Sequence, residues 1–322
     1  MRRVIARPRQ RGMAIVSALL IAALVAVLAG SMLSQQSLFT RQLENQQRRA
    51  EGAAVLQAGL DWSRFLLADQ RKADPLVRRG QRWAQPIGGL PVGTRGGQFQ
   101  GVLEDEQGKF NLRNLVYEDQ PDPRAQASLQ RLFELLELRP ALAGAVIARV
   151  IDGYPRRSQA QPGSQAFDSG RDTSPGAEAR VLPPRLPMLR EVRQLAEVPG
   201  MDAASLQRLL PFVTVLPANT WVNGNTAAAE VLAAQVPGLS LQKAHGLVAE
   251  RDGGHWFVNR GDFVNRLHMP HLVLESVEVG ITSDWFRLQG QTLPMARAVR
   301  LEALLHVGET GLPRVIWSRV GA

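Results

Sequence analysis

Apolar residues are distributed along this chain in three ways, and each predicts a different element. From Met13 to Leu33 (MAIVSALLIAALVAVLAGSML) no charge occurs in 21 positions. As a helix that run reaches roughly 31 Å, about one bilayer hydrocarbon core. From Ser34 to Ala73 there is no proline, and Phe39, Leu43, Ala50, Ala53, Leu60 and Leu67 recur at spacings of 3, 4 or 7. Such spacings lie on one stripe of a helix. Gln46 and Ser63 interrupt the stripe, and Gly52 and Gly59 weaken it. Asp74-Pro75 supplies a stop, because the residue before proline is pushed out of helical geometry. The pattern predicts a membrane helix running into an amphipathic stem.

The rest of the chain switches period twice. Residues 80–97 are rich in glycine and proline and read as an irregular connection. Phe99–Glu104, the turn Asp105-Glu106-Gln107-Gly108 and Lys109–Leu112 read as strand, turn, strand. The stretch Arg124–Val150 is helical in pattern, broken at Pro140. Helical periodicity returns at 188–212 and 226–251, with Val213–Leu216 as a short extended link. Between the first two helical regions, residues 153–187 form a long loop rich in Pro, Gly, Ser and Arg. Alternation typical of strands then appears in Glu275–Val279, Trp285–Leu288, Arg297–His306 and Pro313–Ser318. Since β-like segments flank a helical middle, the economical architecture is one small antiparallel sheet carrying an α-helical insertion.

Composition narrows the chemistry. Among 322 residues there is no cysteine, which excludes disulfides, thiolate zinc sites, iron–sulfur clusters and a cysteine nucleophile. The formal charge of +9 would suit a nucleic-acid partner, but Arg2, Arg3, Arg7, Arg9 and Arg11 crowd the first 12 residues. Without them 33 basic residues face 29 acidic ones, a net +4. Arginines on one side only of the apolar run place the N-terminus in the cytoplasm and the bulk of the chain outside. A secretory signal peptide cleaved after Ala29 is the alternative for this end. Against it, the apolar run continues through Met32 and Leu33, and the basic segment ends abruptly at Arg11-Gly12.

The helical middle holds a diverged repeat, Val198-Pro199-Gly200-Met201 and Val236-Pro237-Gly238-Leu239, each between helical runs. This is the hairpin of a helix-hairpin-helix unit. Nucleic-acid binders of that type carry a second glycine two residues after the first, so that backbone amides approach phosphate. Here those positions are Asp202 and Ser240, and Asp202 would repel phosphate. Structural packing of a SAM-like kind is the favoured reading, and a membrane-anchored DNA receptor is the alternative. No nucleophile elbow, His-Glu-x-x-His motif or dinucleotide fingerprint occurs, so no enzyme is indicated. His268-Met269-Pro270-His271, the only close histidine pair, has no carboxylate beside it and reads as a surface loop.

Taken together, these residues resemble the minor pseudopilin K of type II secretion systems, the GspK family. The resemblance rests on the basic leader ending Arg11-Gly12 with Met13 next, Gly108-Lys109-Phe110-Asn111-Leu112 and Gly176-Ala177-Glu178. It also rests on Leu195-Ala196-Glu197-Val198-Pro199-Gly200-Met201, Val222-Asn223-Gly224-Asn225-Thr226-Ala227 and Arg251–Phe263. It implies cleavage between Gly12 and Met13 by prepilin peptidase, with the apolar helix retained. It implies a single-pass protein of the bacterial inner membrane with most of the chain in the periplasm. Most pseudopilins carry glutamate at the fifth mature position, which pairs with the N-terminal amine of the subunit above. Here that position is Ser17, which implies a place at the pseudopilus tip, initiating or capping its assembly for export of folded proteins across the outer membrane. The implied partners are the minor pseudopilins of the I, J and H families and the inner-membrane platform. The apolar stem stripe of Phe39, Leu43, Ala50, Ala53 and Leu60 is the expected contact. The resemblance also implies calcium, with Asp152 and Glu178 matching the family's acidic positions and Asp168 and Asp172 in the loop between. The family's Trp-Ile-Asp-x-Asp reads Val150-Ile151-Asp152-Gly153-Tyr154 here, so its second aspartate is lost.

The expected fold is therefore α+β: a pilin-like N-terminal membrane helix and stem packed on a small antiparallel sheet, with a large inserted all-α domain of SAM-like or helix-hairpin-helix-like type. The expected divisions are a basic leader at 1–12, the membrane helix at 13–33 and the stem at 34–73. The β region is expected at 74–117 plus 276–322, a first SAM-like unit at 118–217 and a second at 218–275.

Overall fold

The computed structural model describes residues 11–92, 97–157, 181–274, 277–293 and 298–321. One α-helix, Arg11–Ala73, holds both the apolar segment and the stem. It ends where the sequence changes rule. Asp74 donates its N–H to the Gln70 carbonyl (2.9 Å), and its carboxylate accepts the Leu76 N–H (2.9 Å), turning the chain before Val77.

The upper stem packs on a five-stranded antiparallel sheet. Its strands run, in spatial order, Ile87–Val92, Gly97–Asp105, Trp285–Leu293, Arg300–His306 and Arg314–Gly321. Alternate residues of Gly97–Asp105 turn inward, as a period of two requires when one face is covered. The stem contributes Val55, Leu56, Leu60, Leu66 and Leu67 to the core beneath, and the sheet contributes Phe99, Leu103, Phe286, Leu288 and Leu301. Trp83 stands edge-on to Phe286 with centroids 5.1 Å apart.

Between the second and third strands of the spatial order the chain leaves the sheet and returns. Because Phe286 is in register with Asp105, departure and return lie side by side. The excursion builds its own core around helices Pro123–Leu135, Pro140–Ile151, Ala203–Leu209, Ala229–Gln235, Leu241–Asp252 and Arg260–Arg266. Local chemistry sets several starts. Pro123 follows Asp122, whose carboxylate accepts the Arg124 N–H (2.8 Å), and Pro140 opens the next helix.

Five features depart from the sequence reading. Ile87–Val92, inside the stretch read as an irregular connection, is an edge strand paired with Gly97–Asp105. Lys109–Leu112 does not return beside Phe99–Glu104. Phe110–Asn111 instead pairs in parallel with Val213–Thr214, because Phe110, Leu112 and Leu115 are buried in the insertion's core. The insertion is consequently not all-α. It also contains the pairs Val116–Tyr117 with Gln120–Pro121, Arg156–Arg157 with Val181–Leu182, and Val222–Asn223 with Val279–Gly280. Residues 110–117 and 277–279 thus belong with the insertion rather than with the sheet. Finally, the region 188–212 holds only a 3-10 turn, Val192–Glu197, and the seven-residue helix Ala203–Leu209.

Candidate functional site

The lower half of the molecule is a bare helix. Ile15–Met32 has a mean hydropathy of 2.5, and among the described residues no other part of the protein covers it. Ser17 lies within this segment with its side chain exposed. Gly12 and Met13 fall in the first turn of the helix, where side chains lie outside the described residues, as does the leader at 1–10.

Above the apolar segment the stem stripe divides. Phe39 is 67% exposed and Leu43 47%, and Ala50 and Ala53 are open to solvent. Leu60 is not available to a partner. It is 6% exposed, in the same core as Leu56 and Phe99. The reason is axial: Leu60 lies on the upper stretch of stem that the sheet covers, with Val55, Leu56, Leu66 and Leu67, whereas Phe39 and Leu43 lie below it. Trp62 and Phe65 are exposed on the outer side, their rings 5.8 Å apart.

The insertion is rooted at the end of this stem farther from the apolar segment. Arg71, in the last turn of the helix, donates to the Ser283 carbonyl (2.7 Å) and pairs with the Asp284 carboxylate. Two consecutive buried carboxylates sit beside it. Asp105 accepts from the Gln107 N–H (2.9 Å), Asn223 Nδ2 (3.0 Å), Thr226 Oγ1 (2.6 Å) and Ser283 Oγ (2.7 Å). Burial raises its carboxyl above the ordinary value against the lowering effect of those donors. Glu106 accepts from Lys109 Nζ (2.9 Å), Arg287 Nε (2.9 Å), Arg287 Nη2 (3.1 Å) and the Thr214 hydroxyl. Burial alone would raise it too, but the Lys109 and Arg287 charges outweigh that and hold it below the ordinary value. Nothing in the sequence marked Asp105 and Glu106, which read as a turn between two strands. The signal lay in the uncompensated polar run Val222–Ala227.

That run and Arg251–Phe263 are stitched together. Asn225 Nδ2 donates to the Phe257 carbonyl (2.8 Å), and its Oδ1 accepts the Phe257 N–H (2.8 Å), so the amide pairs like a strand neighbour. Arg251 Nη1 donates to the Gly224 (2.9 Å) and Ala227 (2.7 Å) carbonyls.

Both hairpins have the tight glycine turn, with φ of 84° at Gly200 and 81° at Gly238. Asp202 then caps helix Ala203–Leu209 by accepting the Ser205 N–H (2.8 Å), and Ser240 caps Leu241–Asp252 through the Lys243 N–H (3.3 Å). At each helix start a side chain of the protein itself takes one of the amides a phosphate would use, and at the first of them it brings the negative charge of Asp202, which disfavours the DNA reading.

Asp152 caps helix Pro140–Ile151, and its carboxylate faces Arg156 (3.2 Å) and Arg185 (3.7 Å). Glu178, Asp168 and Asp172 lie outside the described residues. Among the described residues no three acidic or histidine side chains converge as metal ligands, and two guanidinium groups beside Asp152 compete with a cation.

Residues 108–218 match a family model described as type II secretion system protein K, and residues 222–282 match a second model of the same description. A type II secretion system protein K of Pseudomonas aeruginosa is 26% identical over 331 residues, spanning 98% of this chain and 94% of the relative. One from Klebsiella pneumoniae is 32% identical over 264 residues, spanning 77% of each. The fold is similar to a chain of the crystal structure of the GspK-GspI-GspJ complex from the enterotoxigenic Escherichia coli type 2 secretion system. That match has a TM-score of 0.63 at 18% identity and spans 87% of this chain and 99% of the other.

Proposed function

This chain belongs to the type II secretion system protein K family and is a minor pseudopilin, and from that premise we propose that it stands at the tip of the periplasmic pseudopilus and initiates or caps its assembly. One observation carries the position. Arg71, at the top of the stem, is bonded to Ser283 and Asp284 at the insertion's return point, so the insertion sits over the end of the subunit farthest from the membrane. A further subunit stacked above would meet it. Ser17 agrees: an acid there would need a partner amine above it, and burying an unpaired Asp at membrane depth costs about 2.5–3.5 kcal/mol on insertion scales.

In this reading Ile15–Met32 is the single membrane anchor, with the leader arginines in the cytoplasm and the sheet and insertion in the periplasm. Prepilin peptidase removes the leader between Gly12 and Met13. Phe39, Leu43, Ala50 and Ala53 form the apolar strip against which the parallel stems of the I-, J- and H-type minor pseudopilins pack, next to the inner-membrane platform. No step is assigned to calcium.

The test uses the absence of cysteine. A Gln207→Cys chain, labelled with maleimide-gold at this exposed insertion position, is assembled into pseudopili. A single label at one filament end is the expected result, and labels along the shaft would overturn the tip position. Sequencing the mature N-terminus with and without the peptidase checks the processing site separately. A start at Gly30 that ignores the peptidase would remove that part of the reading.

A further inference from the structure

The apolar core of the insertion and that of the stem and sheet are separate clusters. Leu216 of the insertion against Trp285 and Leu304 of the sheet is a small additional contact. The layer between the two bodies is otherwise polar, with Arg78 stacked on Trp256 (3.7 Å), Arg79 donating to the Thr226 carbonyl (2.8 Å) and Arg319 paired with Glu191 (2.6 Å), and Asp105 and Glu106 are its buried carboxylates. Asp105 gathers the insertion (Asn223, Thr226) and the returning chain (Ser283) onto the end of a sheet strand. Glu106 gathers Thr214 of the insertion and Arg287 of the central strand, and Arg287 reaches on to Glu302 of the next strand (2.8 Å). Asn223 also holds the Val77 carbonyl beyond the stem (2.9 Å), and Gln107 Oε1 accepts the Asp284 N–H (2.6 Å). Gly108 fits against Thr226 so closely that a Cβ would lie 2.9 Å from its Oγ1.

Apolar surfaces tolerate small rotations, because their attraction is not directional. Buried hydrogen bonds do not, since each donor must keep its distance and angle or remain unsatisfied. We propose that Asp105 and Glu106 form an orientation lock that fixes the insertion to the stem and sheet, so that the two cores turn as one body. The lock depends on contacts within this chain and stands whether or not the subunit occupies the tip.

The experiment uses the full chain in nanodiscs, with spin labels at Gln130→Cys on the insertion and Ser318→Cys on the sheet, both exposed positions in a cysteine-free background. The distance distribution between the labels is expected to be single and narrow. In Asp105→Asn with Glu106→Gln it is expected to broaden by roughly twofold as the joint becomes a hinge, while near-ultraviolet circular dichroism reports both cores intact. Thr226→Val with Ser283→Ala, which keeps both carboxylates, is expected to broaden it less. Unchanged widths in both variants would overturn the proposal. So would broadening that appears only together with loss of the tertiary signal, since a general loss of folding would then explain it.

Discussion

The ring of Phe99 occupies the place where a side chain of residue 59 would begin: a Cβ on Gly59 would lie 2.2 Å from Phe99 Cδ2. The same ring lies 2.4 Å from where Gly290 would carry a Cβ and 2.8 Å from that of Gly101, so three glycines form its socket. Gly59→Ala should therefore destabilise the protein although alanine favours a helix by about 1 kcal/mol. The displaced ring is fully buried, and overpacking of this kind costs roughly 1–3 kcal/mol. A lowered urea midpoint with an unchanged slope is the expected observation, and a raised midpoint would show that the socket is slack.

Leu60 and Phe39 should respond in opposite assays. Leu60→Ala opens a cavity between stem and sheet and should cost about 2–4 kcal/mol in denaturant unfolding. Phe39→Ala and Leu43→Ala, at exposed positions, should stay within about 0.5 kcal/mol of the parent. They should nevertheless weaken co-purification with the other minor pseudopilins. Full retention of that complex by the double variant would move the contact elsewhere on the stem, with Trp62 and Phe65 next in line.

Acid should weaken the fold partly through Glu106. Its carboxyl is held below the ordinary 4.5, so the stability it contributes is complete above that value and is lost as pH falls through the lower folded value. Asp105 acts in the other direction: its carboxyl is raised above 3.8, so ionisation burdens the fold, and the burden lifts as pH falls through the raised value. The stability difference between parent and Glu106→Gln should consequently hold above pH 4.5 and shrink over the range below it. A constant difference across that range would mean that Glu106 is not titrating against Lys109 and Arg287.

Arg251 should be needed for the clamp around Asn225. It is 4% exposed and holds the Gly224 and Ala227 carbonyls. Arg251→Met leaves both without that donor, at roughly 1–3 kcal/mol each if no water replaces it. Arg251→Lys, with a single point of charge rather than a planar fork, should fall between. Hydrogen exchange at the amides of Phe257 and Thr226 would report the loss locally, and unchanged protection there would count against the clamp.

Long-period features were legible in the sequence because they follow from one physical demand repeated many times. The apolar run 13–33, the proline-free stem and the stop at Asp74-Pro75 each satisfied a helix rule over many residues. The two strand-rich ends and the helical middle were legible for the same reason. Short elements were not. Phe110–Asn111 was read as the second arm of a hairpin, but two residues carry too little pattern to show that their partner is Val213–Thr214, more than a hundred positions away. Leu60 shared its stripe with Phe39, and spacing alone could not tell which stretch of stem the sheet would cover. The lock at Asp105 and Glu106 was invisible because acidic residues in a glycine-ended turn are ordinarily solvated. Only the fold brings Asn223, Thr226, Ser283 and Arg287 to them.

The side-by-side departure and return of the insertion has a consequence for how the chain folds. Glu106 and Arg287, joined across the sheet, are 181 positions apart in sequence. Closing that pairing across an unstructured loop would cost about 3 kcal/mol more than closing a four-residue turn. An insertion that collapses first around its own core removes most of that cost, because its two ends then emerge as neighbours. Helices with local contacts form quickly, and sheets that join distant segments form slowly. The inserted body is thus suited to act as the nucleus of the pilin sheet, with the central strand pairing closing last on a template already built.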